Sequence, residues 1–175
     1  MLEDYSIEEH SHRFGVWTAA RAASASRLSN QEVQELFHQI NLRAEVDALK
    51  LKNITDEIYC TWIKETGEKL ISNVTGLNSI DFKKNKFCFG LAAKLISIYV
   101  KTVEVIPTKG ASYLSAIAYP PLDSILLKNI KAHYENDFDT NWSTFDWQKY
   151  INWIEFLKTI KQDEPWWKLE AYWCI

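Results

Sequence analysis

Behind Ser6, the residues Ile7, His10, Phe14, Trp17 and Arg21 recur at steps of three and four, the spacing that lines up side chains on one helix face. The period returns in Tyr59, Trp62, Ile63, Leu70 and Ile71, between Thr55 and Ser72, and again in Trp147, Tyr150, Ile151, Ile154, Leu157 and Ile160. Start signals accompany these faces. Ser6-x-x-Glu9 and Ser29-x-x-Glu32 are capping boxes, in which a hydroxyl and a carboxylate satisfy backbone N–H groups that have no partner within the helix. Asn53-x-x-Asp56 or Thr55 can open another helix and Ser143-x-x-Asp146 a further one. Pro165 suits the first turn of a last short helix, where a missing N–H costs nothing. The 175 residues include only five Gly and four Pro, too few turn-formers for a many-stranded sandwich or barrel. The expectation is an all-α fold of seven or eight helices, forming a single compact domain over residues 1–175.

Phe87–Ile106 is apolar on most sides, the pattern of a central helix wrapped by others. Its β-branched run Ile98–Ile106 is where it could fray into a strand. Ala19, Ala20, Ala22 and Ala23 allow close helix approach, and eight Trp, eight Tyr and eight Phe supply the large rings of a packed interior.

The net charge of −3 conceals an uneven distribution. Residues 83–131 carry eight Lys against two acidic residues, while both flanking segments are net negative. A basic middle between acidic ends is the local footprint of an anionic partner, a nucleic acid being one such partner. Lys83, Lys84 and Lys86, with Lys101, are the candidate contacts to it; the competing reading of the first three is a solvated helix entry. The first ten residues lack the basic-then-apolar run of a signal peptide, and Lys94, Ser97, Lys101 and Glu104 interrupt the longest apolar stretch before it reaches membrane-spanning length. Cys60, Cys88 and Cys174 form neither a disulfide framework nor CxxC pairs. The expectation is a cytoplasmic protein that does not enter a membrane.

Within the central stretch, Lys86, Gly90, Lys94, Ser97 and Lys101 form one polar stripe on an otherwise apolar helix. Either this is the solvent-facing edge, with lysines snorkelling, or one lysine points into a cleft. Partial desolvation there would leave a neutral amine able to attack an electrophilic carbon. Downstream, Tyr119-Pro120-Pro121-Leu122-Asp123-Ser124 leads into another helix. Asp123 is either its N-cap or an ionised carboxylate facing a cationic transition state. Lys109-Gly110 is a loop that could offer N–H groups to a phosphate. His10 and His12 fall on opposed sides of a helix and make no metal pair, and no P-loop, GxGxxG, HExxH or GxSxG occurs. Neither metal nor cofactor is expected. The acidic, Trp-rich end (Trp142, Trp147, Trp153, Trp166, Trp167, Trp173) fits core packing or contact with a protein partner better than base stacking.

The run from Lys86 through Lys94 to Lys101, then a loop, then Pro121-Leu122-Asp123 opening a helix, resembles the core of helix–hairpin–helix DNA glycosylases of the 8-oxoguanine type. The resemblance covers roughly residues 80–131. It does not extend to a Gly-hydrophobic-Gly hairpin before Lys86 or to a four-Cys iron–sulfur loop. In that family a Lys at a helix start attacks the sugar C1′ carbon, and an Asp at the next helix start stabilises the oxocarbenium-like centre. The resemblance implies that Lys86, or failing it Lys94, is the nucleophile and Asp123 the carboxylate. The protein would then bind DNA and excise a damaged or modified base. The rival expectation is a non-enzymatic all-α interaction module, a subunit or regulator docking through its aromatic, acidic ends.

Overall fold

The computed structural model of the protein describes residues 5–22, 24–26, 28–74 and 87–174. Helices open where short polar side chains can cap them. In α1 (Ile7–Ala22) the Glu9 N–H donates to Ser6 Oγ at 3.2 Å, while the Glu9 carboxylate accepts from Arg13 and Arg43. In α2 (Asn30–Gln39) the full capping box forms between Ser29 and Glu32. Asn41, in the left-handed region, turns the chain into α3 (Leu42–Lys50). Thr55 opens α4 (Asp56–Val74) by accepting from the Ile58 N–H.

The central helix α5 (Phe89–Val100) begins at Cys88, later than the stripe suggested, and every residue in it except Ile98 is buried. It continues as a π-helix over Lys101–Val105. The β-branched run is therefore helical. Continuing the helix satisfies its backbone donors locally, with the Thr102 hydroxyl donating back to the Ile98 carbonyl, whereas a lone strand would leave them unpaired. The short α6 (Tyr113–Ile117) follows, then α7 (Ser124–Tyr134), capped by Asp123. Next comes α8 (Trp147–Lys161), whose first turn is capped by Asp146. Ser143 is not that helix's start: it belongs to a 3₁₀ turn, Trp142–Thr144. Pro165 leads into a closing 3₁₀ segment, Trp166–Tyr172.

Among the described residues there are eight α-helices and no strand, and the chain forms an all-α domain around one core. α5 runs through the centre, against α1 on one side, α4 and α8 on another, and the Trp142–Thr144 turn across its first half. The α1 contact is close because Gly15, Val16, Ala19 and Ala20 form its buried face. The closing segment is pinned by Trp166, whose indole N–H donates to Asp56 Oδ1 at 2.7 Å. Among the described residues no helix is long and apolar enough to cross a membrane.

Candidate active site

Gly90 fixes how the site is built. A Cβ at this position would lie 1.9 Å from the Trp142 carbonyl oxygen, so only glycine lets the 142–145 backbone cross α5 here. The Gly90 N–H donates to the Phe145 carbonyl at 3.0 Å. One helical turn on, the Lys94 ammonium lies 4.1 Å from the centroid of the Trp142 ring. Lys94 is only 7% exposed, and Gly90 and Ser97 are buried with it. From Gly90 to Ser97 the polar stripe is thus an inward face rather than a solvent edge.

The second half of the site comes from α7. Pro120 and Pro121 are buried and deliver Asp123 in extended backbone to the N-cap position. Asp123 Oδ1 accepts from the Ile125 and Leu126 N–H groups, both at 3.0 Å. Its Oδ2 accepts from the Trp173 indole N–H at 2.9 Å and faces Lys94 Nζ at 3.6 Å. The two readings of Asp123 divide between its oxygens: one caps the helix and the other faces the lysine.

Lys94, Asp123 and Trp173 line a cleft of about 350 Å³. Ile98, Pro121 and Leu126 supply apolar wall, and Ala22, the last residue of α1, forms part of the rim. Lys101, nearly two turns beyond Lys94, forms an ion pair with Glu170 in the same cleft. Burial pushes the Lys94 pKa below the ordinary lysine value, and the Asp123 carboxylate opposes part of that shift. A desolvated amine beside a carboxylate that can take its proton is the arrangement for nucleophilic attack on carbon.

The other sequence candidates fall elsewhere. Lys83, Lys84 and Lys86 lie outside the described residues; among the described lysines, Lys94 stands beside Asp123. Lys109 and Gly110 both adopt positive φ and close the end of the π-helical stretch. Their N–H groups donate to the carbonyls of Ile106 and Val105, and Gly110 packs on the Trp167 indole. These N–H groups are therefore already used, and the loop does not offer them to a phosphate. His10 and His12 bond separately to the Tyr5 and Tyr99 hydroxyls. No group of three or more His, Cys, Asp or Glu side chains suited to a metal occurs among the described residues.

Trp153 and Trp166 are core residues, whereas Trp173 lines the cleft and Trp142 packs against the Lys94 ammonium. The sequence reading missed the part these two play, together with that of Glu170. The available signals were the glycine one turn before Lys94 and the Glu170-x-x-Trp173 spacing in the last turn. Comparison with protein-family models, with curated proteins and with solved structures finds no match for the chain.

Proposed function

We propose that the protein acts on DNA as a glycosylase-like enzyme, with Lys94 as the nucleophile and Asp123 as its carboxylate partner. The observation that carries this reading is the desolvated Lys94 Nζ at 3.6 Å from Asp123 Oδ2, at the wall of an open cleft. The glycosylase resemblance and the lysine excess of residues 83–131 supply the choice of DNA. Reaching a base inside a duplex requires turning its nucleotide out of the stack, and the cleft is where that nucleoside would enter.

The chemistry follows from the two side chains. Asp123 Oδ2 takes a proton from the Lys94 ammonium, freeing the lone pair on Nζ. Nζ bonds to C1′ as the glycosidic bond breaks, and that bond's electron pair leaves with the base, which picks up a proton. The aminal then opens: the C1′–O4′ bond breaks, O4′ becomes a hydroxyl, and the nitrogen and C1′ are joined as an iminium. Water hydrolyses the imine and returns the free lysine. Asp123 passes the proton it took to the departing base, and its carboxylate, held by two backbone N–H groups and an indole N–H, then faces the positively charged iminium at C1′.

Borohydride reduction of the imine to a stable secondary amine tests this directly. Oligonucleotides carrying oxidised, deaminated or alkylated bases should yield a covalent protein–DNA species that Lys94→Gln abolishes. Absence of both trapping and base release on all of them would favour the non-enzymatic interaction module.

A further inference from the structure

The outer face of α1 shows a second feature. Phe14 and Trp17 stack on one another, ring centroids 5.7 Å apart and 21° from parallel, yet they are 50% and 45% exposed. The Arg21 guanidinium lies 5.6 Å from the Trp17 ring centroid. Trp17 also lines a groove of about 370 Å³ between α1 and α2, with Glu9, Arg13, Asn30 and Gln34 around it; Arg13 is ion-paired with Glu9, so among the described residues Arg21 is the arginine left to meet a backbone there. The surrounding chain is basic. Between Glu9 and Glu32 the sequence holds Arg13, Arg21 and Arg27 and no acidic residue, in a half of the protein that is otherwise acidic.

We infer that the exposed face of α1, with the α1–α2 groove, is a binding track for unpaired single-stranded DNA. Exposed aromatic faces accept successive bases by stacking, and arginines hold the backbone without reading sequence. The Asn30 and Gln34 amides add donors and acceptors for base edges. Position supplies the link to the cleft. Trp17 precedes the rim residue Ala22 by five residues, about 7.5 Å along a helix axis, the length of roughly two stacked nucleotides. The two residues also lie about 140° apart around the axis, so a strand stacked on Trp17 would wrap the end of α1 to reach the Lys94 cleft. Only that connection rests on the proposed function; strand binding by α1 does not.

The test is equilibrium binding of a fluorescently labelled oligothymidylate, which offers no lesion, to wild type and to Lys94→Gln. Both should bind equally at low salt, more tightly than they bind a duplex, with affinity falling as salt rises. Trp17→Ala should lose about tenfold or more from missing stacking, and Arg21→Glu should weaken binding and flatten its salt dependence. Both sites are at the surface, so unchanged circular dichroism and melting temperature should accompany the loss. Wild-type-like binding by Trp17→Ala, or no oligothymidylate binding by wild type at low salt, would overturn the inference. So would a concentration-dependent dimer in sedimentation that Trp17→Ala dissociates, since the face would then be occupied by a second copy. Loss of Schiff-base trapping with strand binding intact would overturn the enzyme reading alone.

Discussion

Lys94 Nζ and Asp123 Oδ2 stand 3.6 Å apart, longer than the 2.7–2.9 Å typical of a charge-assisted hydrogen bond. The same oxygen accepts from Trp173 Nε1 at 2.9 Å, and the ammonium lies over the Trp142 ring. Each charge is thus held partly by an aromatic residue, which keeps the pair close without joining it in a tight ion pair. An amine in that position can be freed of its proton more readily than one clamped by a carboxylate.

Asp123 carries two duties that substitution can separate. Asn is as good an N-cap as Asp, so Asp123→Asn should keep thermal stability near wild type while severely slowing base release and trapping. Asp123→Ala should lose the activity and also about 0.5–2 kcal/mol of stability with the cap. Denaturant unfolding of the two variants beside single-turnover kinetics checks the separation. Equal loss of stability in both would show that the carboxylate charge, not the cap, is what the fold requires.

Gly90→Ala places a methyl group where the Trp142 carbonyl now sits. Because the obstruction is backbone, the 142–145 segment must move, at a cost of roughly 1–3 kcal/mol typical of overpacking. Trp142 should leave Lys94, and trapping should fall with the stability. Unaltered melting temperature and tryptophan fluorescence would contradict this account of the crossing.

The pH dependence follows from burial of Lys94. Its folded pKa lies below the unfolded value, so between the two the unfolded chain binds more protons and stability rises with pH. Subtracting the profile of Lys94→Met should isolate that rise in a window ending near the ordinary lysine pKa. The trapping rate should climb through the folded pKa for the same reason, because only the neutral amine attacks. Trp173→Phe removes the indole donor from Oδ2 and frees that oxygen to pair with the ammonium. The midpoint should then move up toward the ordinary lysine value. A lysine-detected NMR titration showing no change in Lys94 on Trp173→Phe would remove Trp173 from the positioning of this pair.

Much of the fold was legible because helix caps and helical period are local signals. Ser29 with Glu32, and Thr55, cap helices through hydrogen bonds spanning three residues, whereas the start expected at Ser143 falls on Asp146. The exact start of α5 was not legible, since Cys88 makes no side-chain cap there. Asp123 could be placed at a helix start from the preceding prolines. The choice of lysine could not be made from sequence, because Lys86 and Lys94 are eight residues apart, a little over two helical turns. Trp142 and Trp173 join the site only through tertiary packing, 48 residues beyond Lys94 and 50 beyond Asp123 respectively. No local period marks such a contact.

Mapping the borohydride-trapped adduct by peptide mass spectrometry is the most direct measurement of the central claim. A reduced deoxyribose remnant is expected on Lys94 Nζ, retained in Lys86→Gln and absent from Lys94→Gln. An adduct on Lys86 or another amine, or none on any damaged oligonucleotide, would contradict it.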